Sequence, residues 1–153
     1  MTPGVLVECD HISCAYDSSF ALRDVHFTMR SGDFVGIVGP SGSGKTTLLK
    51  TVLGAIKPVH GHVTTKPGLR MGYVPQVESV DWSFPVTVLE VMVMTRTANG
   101  RSPRITPEEK AAAIDVLERL GLGGLHNRHI RELSGGQQQR VFVARALFHR
   151  PEL

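Results

Sequence analysis

The clearest chemical pattern in the chain is the segment GPSGSGKT at positions 39 to 46, which matches the phosphate-binding pattern G-x-x-x-x-G-K-[ST] in full. Its three glycines permit backbone conformations that other residues avoid, so successive amide N–H groups can point at phosphate oxygens. Lys45 would contact the β- and γ-phosphates, and the Thr46 hydroxyl would ligate Mg2+. We therefore predict a site for ATP and Mg2+. The predicted nucleotide-binding residues are Gly39, Pro40, Ser41, Gly42, Ser43, Gly44, Lys45, Thr46 and Thr47.

The sequence on both sides of this segment supports the phosphate-binding interpretation. Phe34 to Val38 is a nearly continuous apolar run, which predicts a strand buried on both faces of a parallel sheet. Lys45 to Leu53 is predicted to be a helix that stops at Gly54, and the positive end of its dipole would face the loop. The alternative is a Gly- and Ser-rich turn that happens to precede a helix.

A second candidate anion site is the segment LSGGQ at positions 133 to 137. Ser134 and Gln137 form an S-x-x-Q capping box, which predicts that a helix begins here. Ser134, Gly135 and Gly136 would then present a hydroxyl group and unobstructed amide groups at an exposed helix N-terminus. The alternative is an ordinary capped helix.

Together the two motifs resemble the ATP-binding cassette (ABC) ATPase family. The resemblance implies a P-loop NTPase fold of the α/β class, with an antiparallel β edge, a parallel core sheet and a helical subdomain. It also implies a homodimer in which two cassettes pack head to tail. Ser134, Gly135, Gly136 and Gln137 would then contact, in trans, the ATP held by Lys45 of the other subunit.

Two further positions match the family. Tyr16 lies ahead of the loop, where ABC proteins place an aromatic ring that stacks on adenine, although a core tyrosine is the competing interpretation. Gln76, in the sequence Tyr-Val-Pro-Gln, matches the Q-loop glutamine, and the resemblance implies that it contacts Mg2+ and senses the γ-phosphate.

The segment from Val80 to Val88 is similar to ATPase subunits of bacterial manganese, zinc or iron importers. Trp82 and Phe84 could form an apolar socket for a helix of a membrane subunit, or they could be core residues of the helical subdomain. The resemblance implies metal-ion import with integral membrane permease subunits as partners, and a metal-binding solute receptor as a further one. The chain would then lie on the cytoplasmic face of the membrane, attached through the permease.

The hydrophobic patterns predict strands followed by helices, which indicates α/β architecture. The predicted strands are Val5 to Glu8, Ile12 to Tyr16, Asp24 to Arg30, Phe34 to Val38, Gly61 to Thr65 and Arg70 to Val74. The predicted helices are Lys45 to Leu53, Thr87 to Thr95, Pro107 to Leu120, with a Thr106–Glu109 capping box, and one from Ser134, with a loop at Gly100 to Arg104. We expect a nucleotide-binding core at 1–77, a helical subdomain at 78–133 and a signature helix at 134–153.

The composition fits a globular domain and argues against several other classes. The 153 residues are 41% hydrophobic and 20% charged, and the net charge of +3 is spread along the chain, so we expect no nucleic-acid partner. Cys9 and Cys14 lack zinc-site spacing and are expected to be buried free thiols. The N-terminus does not have the layout of a signal peptide, and no apolar run is long enough to span a bilayer, which predicts a cytosolic location.

The family resemblance places a strand ending in Asp-Glu, and a switch histidine, beyond Leu153. We therefore expect that the C-terminal third of the cassette is missing and that no catalytic glutamate is present, so that Gln76 has only an auxiliary catalytic role. We also expect the chain alone to be inactive and marginally stable. Two alternatives remain: a catalytically inactive nucleotide-binding fragment, and a non-transport ABC ATPase. The second lacks support, because no sustained heptads separate Lys45 from Ser134.

Overall fold

The computed structural model describes residues 4–17, 19–75, 85–94 and 105–153. The chain divides into two compact units, Met1–Met71 with Glu152–Leu153, and Gly72–Pro151. Each unit has its own cluster of buried apolar side chains. Across these described ranges, every helix is too short or too polar to cross a membrane. The predicted three-part division at 77/78 and 133/134 stays a prediction.

The first unit contains an antiparallel sheet. Its described strands are β1 (Val5–Tyr16), β2 (Ser19–Arg30) and β3 (His60–Thr65), in the order β2-β1-β3. The two short strands predicted at 5–8 and 12–16 are one strand, because β1 continues through irregular pairing between Cys9 and Ile12. Likewise β2 begins at Ser19 and not at Asp24, since Tyr16 already pairs with Ser19.

The core of the first unit lies where this sheet meets helix α1 (Lys45–Val52). Cys9 and Cys14 are both buried and unbonded to another sulfur, which confirms the prediction of buried free thiols. The Cys14 Sγ lies 3.3 Å from the Thr51 Oγ1, and that hydroxyl donates to the Thr47 carbonyl at 2.8 Å. These bonds satisfy the polar atoms that α1 buries against β1.

Two predicted strands are wrong. Phe34 to Val38 has no strand structure, and Phe34 is fully exposed while Val38 is 92% exposed. Arg70 to Val74 is also irregular. A strand exists only when a neighbouring strand satisfies its N–H and C=O groups, and none of the described strands lies beside either segment. The parallel core sheet is therefore not formed in the described part of the chain.

The second unit is helical. It contains α2 (Val88–Val93), α3 (Pro107–Arg119), a short 3-10 helix (Ile130–Glu132) and α4 (Gly135–Phe148). The three α-helices pack around buried Met92, Leu117 and Phe142. Helix α2 is shorter than predicted and ends at Val93. The loop predicted at positions 100–104 lies outside the described residues.

Each of the three α-helices that the structure describes in the second unit begins with a capping box. The boxes pair Thr87 with Glu90, Thr106 with Glu109, and Ser134 with Gln137. The last two confirm the predicted helix starts. The chain before α2 is further fixed by two backbone bonds, from the Val88 N–H to the Arg128 carbonyl and from the Ile130 N–H to the Val86 carbonyl. These bonds hold the segment that leads into α4.

Candidate phosphate-binding sites

The loop at positions 39–46 turns into α1 through a glycine that no other residue could replace without strain. Gly44 is the N-cap of α1 and has a φ of 89°, in the left-handed region. A Cβ at this position would lie 2.4 Å from the Ala21 carbonyl oxygen and 2.9 Å from the Leu22 Cδ2. Strand β2 therefore packs directly under the loop, and the tight contact fixes where the helix starts.

The N-terminus of α1 is chemically suited to an anion. A glycine N-cap has no side chain to accept from the first amide groups of the helix, and the first turn carries no acidic residue. Those N–H groups and the positive end of the helix dipole therefore favour negative charge at this end. The only charged group in the first turn is Lys45, which is cationic.

The Lys45 ammonium lies over the loop and not out in solvent. Its Nζ donates to the Gly39 carbonyl at 2.9 Å and to the Pro40 carbonyl at 2.7 Å, and it lies 3.5 Å from the Ser43 Oγ. Neutral carbonyl groups hold the cation in position without neutralising it, so it remains available to an anionic ligand. The sequence predicts that Lys45 contacts phosphate, but it does not predict these bonds to the loop carbonyls.

The two threonines that follow Lys45 differ in accessibility. Thr46 is exposed, so its hydroxyl can reach a ligand, whereas Thr47 is buried and its carbonyl accepts from the Thr51 hydroxyl. The donor set at the loop, with backbone amides, one ammonium and one exposed hydroxyl, fits a magnesium-bound polyphosphate. The contact of Thr47 with the nucleotide stays a prediction.

The signature segment forms a second exposed helix N-terminus, in the other unit. The Ser134 N–H donates to the Gln137 Oε1 at 3.0 Å, and the Ser134 Oγ accepts from the Gln137 N–H at 3.4 Å. Gly135 and Gly136 are exposed and helical, and a Cβ at either would meet nothing within 4 Å. Local packing therefore does not require glycine at these two positions.

Two hydrogen bonds anchor α4 behind this exposed end. Gln138 is buried, and its Nε2 donates to the Ile130 carbonyl at 3.1 Å. The Arg140 Nη1 donates to the Leu120 carbonyl at 3.2 Å, beside Gly121. Both bonds connect α4 to the chain that precedes it, and so help to position the exposed residues 134–136.

Tyr16 ends β1 and is 52% exposed, which does not fit the alternative of a core tyrosine. Phe20, which pairs with Ala15 across the hairpin, is also exposed, and the Arg23 guanidinium lies 4.5 Å from its ring centroid. Phe20 and Arg23 are not among the residues predicted from the sequence. The signal for Phe20 was a second aromatic residue four positions after Tyr16, next to Ser19, which pairs with Tyr16.

Three further predicted positions lie outside the described residues, namely Gln76, Trp82 and Phe84. The predicted contact of Gln76 with Mg2+ and the predicted membrane-subunit socket therefore stay predictions. The described residues nearest to them, Pro75 and Pro85, belong to the second unit.

Comparison with known proteins gives a single consistent family. A family model described as ABC transporter matches residues 22–153. The zinc import ATP-binding protein ZnuC of Jannaschia sp. (strain CCS1) is 42% identical over 148 residues, which cover 97% of this chain and 57% of that protein. The manganese transport system ATP-binding protein MntB of Bacillus subtilis (strain 168) is 40% identical over 148 residues, covering 92% of this chain and 59% of that protein.

A solved structure is also similar over nearly the whole chain. It is the dimeric post-hydrolysis state of the ATP-binding cassette MJ0796 bound to ADP and Pi, with a TM-score of 0.78 and 30% identity. The match covers 95% of this chain and 71% of that one. The chain thus spans 57% and 59% of the length of the two curated relatives.

Proposed function

This chain belongs to the ABC transporter family, and we propose that it is the ATP-binding subunit of a metal-ion importer, in which ATP binding and hydrolysis drive transport. The observation that carries this proposal is the loop at Gly44 and Lys45: a glycine-capped helix N-terminus without acidic residues, with an ammonium group held over the loop by carbonyls. This arrangement supplies the donors that a nucleoside triphosphate needs.

In the proposed mechanism the first site binds the polyphosphate in cis. Lys45 would exchange its bonds to the neutral Gly39 and Pro40 carbonyls for stronger bonds to the negatively charged β- and γ-phosphates. The Thr46 hydroxyl and Gln76 would hold Mg2+, which neutralises phosphate charge when bound. Tyr16 would stack on the adenine ring, and its exposure at the end of β1 supports this role.

The second site would act in trans. Ser134, Gly135, Gly136 and Gln137 of one subunit would contact the nucleotide bound by the other, in a head-to-tail homodimer. Two observations support this role: the glycines are exposed where local packing does not require them, and the similar cassette MJ0796 was solved as a dimer with ADP and Pi. A residue without a Cβ lets another molecule approach the helix N-terminus closely.

The transported cargo and the membrane partners are inferred from the relatives. Their names refer to zinc import and to manganese transport, so we propose a divalent metal ion as the cargo. The chain would attach to integral membrane permease subunits on the cytoplasmic side, through the region around Trp82 and Phe84. A metal-binding solute receptor would deliver the ion to the permease.

The direct test is equilibrium binding of a fluorescent, non-hydrolysable ATP analogue to the chain in the presence of Mg2+. Lys45→Ala should weaken binding by about 10- to 100-fold, because a charge-assisted hydrogen bond contributes about 1.5–3 kcal/mol. Lys50→Ala is the matched control, since Lys50 is exposed in the last turn of the same helix. Equal affinities of Lys45→Ala and the wild type would refute the assignment of the loop.

Hydrolysis and transport need separate measurements. Phosphate release that disappears in Lys45→Ala would show that the chain turns over ATP, whereas binding without turnover would support the alternative of an inactive nucleotide-binding chain. For the cargo, cells that carry Lys45→Ala in the native gene should contain less zinc or manganese than cells with Lys50→Ala. Unchanged metal content would contradict the proposed import function.

A further inference from the structure

The central strand of the sheet carries an irregularity that places polar residues together on the exposed surface. In the pairing of β1 with β2, Cys9 faces Phe27 and Ile12 faces Val25, so Asp10 and His11 together face a single residue, His26. Two residues opposite one define a β-bulge. In a regular strand Asp10 and His11 would point to opposite faces, and the bulge removes this alternation.

The bulge requires unfavourable backbone conformations. His11 has a φ of 48° and Asp24 a φ of 50°, both in the left-handed region that non-glycine residues avoid. On the other side of β1, Gly61 faces the bulge, and a Cβ there would lie 2.3 Å from both the Asp10 and the His11 carbonyl oxygens. Strain that a fold retains in this way is often associated with a functional site.

The result is a cluster of metal-ligating side chains. Asp10, His11 and His26 each contribute a ligand atom, and these three atoms lie within 4.8 Å of one another. The His11 and His26 rings stack with centroids 5.3 Å apart. The Asp10 carboxylate lies between two imidazoles, with Oδ1 3.6 Å from the His26 Nδ1 and Oδ2 3.8 Å from the His62 Nδ1.

One histidine of the cluster is also held in a defined orientation. The His11 Nδ1 donates to the Asp24 Oδ1 at 2.6 Å, and the Asp24 N–H donates to the Ser13 Oγ at 3.0 Å. A carboxylate that accepts from one ring nitrogen fixes the tautomer and leaves Nε2 as the free ligand atom. Metal-bound histidines commonly have such a partner.

We propose that Asp10, His11 and His26 bind a divalent transition-metal ion of the Zn2+ type, and that His62, whose Nδ1 lies 3.8 Å from the Asp10 Oδ2, turns toward it as a fourth ligand. Two or three imidazoles and one carboxylate suit Zn2+, whereas Mg2+ prefers oxygen ligands throughout. A tetrahedral zinc site needs ligand atoms about 3.3 Å apart, so ligand atoms that now lie within 4.8 Å of one another must approach by up to about 1.5 Å. They are between 44% and 66% exposed, which leaves them room to rotate.

The site would connect all three strands of the sheet, because Asp10 and His11 belong to β1, His26 to β2 and His62 to β3. A bound ion would therefore stabilise the first unit by mass action. This inference does not depend on the proposed ATP-binding function, since none of these residues belongs to either phosphate-binding segment.

The test is a titration of the full chain with Zn2+ against a competing chelating dye, with Mg2+ in excess and no nucleotide. We expect one ion per chain, and His26→Gln should weaken binding by at least about tenfold. His60→Gln is the matched control, because His60 lies on β3 but outside the cluster. Lys45→Ala should bind Zn2+ like the wild type, which separates this site from the nucleotide site.

A second measurement on the wild-type chain guards against a variant that misfolds. Diethyl pyrocarbonate modifies accessible histidines, and mass spectrometry locates the modified residues. Zn2+ should protect His11 and His26 by several-fold while His60 remains reactive. Equal protection of all three histidines, or unchanged affinity in folded His26→Gln, would overturn the proposal.

Discussion

Replacing Gly136 by alanine should stabilise the protein and at the same time impair its proposed function. Gly136 is in the first turn of α4, is exposed, and has open space where a Cβ would be added. Alanine reduces the conformational entropy of the unfolded chain, so the free energy of unfolding should rise by about 0.4–1 kcal/mol. For a chain of this size, this corresponds to an increase in Tm of about 1–4 °C.

The functional effect should have the opposite sign. If a second subunit presents its nucleotide to Ser134, Gly135 and Gly136, the added methyl group occupies the space through which the phosphate approaches. Sedimentation velocity with Mg2+ and a non-hydrolysable ATP analogue measures this self-association. Gly136→Ala should dimerise at least about tenfold more weakly, since even a 1.4 kcal/mol steric penalty has this effect. Nucleotide affinity of the dilute monomer should be unchanged.

The matched control is Gly123→Ala, in the same unit. A Cβ at Gly123 makes only an ordinary contact, 3.6 Å from the Glu118 Cγ, and φ there is not in the left-handed region. Gly121 and Gly124 are unsuitable controls because their φ values are 69° and 74°. A Gly136→Ala protein that is more stable and still dimerises like the wild type would refute the trans role of the signature segment.

Two further predictions follow from the described geometry. Gly44→Ala should destabilise the first unit by about 1–3 kcal/mol in urea unfolding, because the alanine would have a left-handed backbone and its Cβ would clash with the Ala21 carbonyl. The same substitution should abolish binding of the ATP analogue. The pKa of Glu90 lies below its usual value because its carboxylate accepts from the Thr87 N–H and then from the Thr87 hydroxyl. This stabilisation is present above the pKa of an unfolded glutamate and is lost as pH falls through the lowered folded pKa. Urea midpoints measured below about pH 4.5 should therefore fall less in Glu90→Gln than in the wild type.

The parts of the fold that the sequence predicts well depend on local chemistry. The capping boxes at Thr106 and Ser134 need only a side chain and the amide three residues later, so four residues contain the whole signal. The loop at 39–46 is equally local, because its glycines, lysine and threonine are specified by one short pattern. The sequence therefore predicted the N-termini of α1, α3 and α4 correctly.

The predictions that failed concern structure that depends on residues distant in sequence. The apolar run from Phe34 to Val38 predicts a buried strand, yet whether it forms one depends on a neighbour that is remote in sequence. The bulge at Asp10 and His11 requires Gly61, about fifty residues later, to admit its carbonyls. The predicted strands at 5–8 and 12–16 are separated by a break in the hydrophobic alternation, and this break coincides with the bulge. The break alone does not reveal what causes it.

The two helix N-termini are constructed differently, and this difference bears on the order in which they would act. The α1 N-terminus ends in a glycine that the fold requires, so its first amides have no side-chain acceptor and depend on an external anion. At the α4 N-terminus, the Ser134 and Gln137 box already satisfies two amide groups. A bound anion should therefore stabilise the α1 N-terminus more than the α4 N-terminus. We expect the nucleotide to bind first in cis at Lys45, with the signature segment engaging it only when a second subunit brings the filled site into contact.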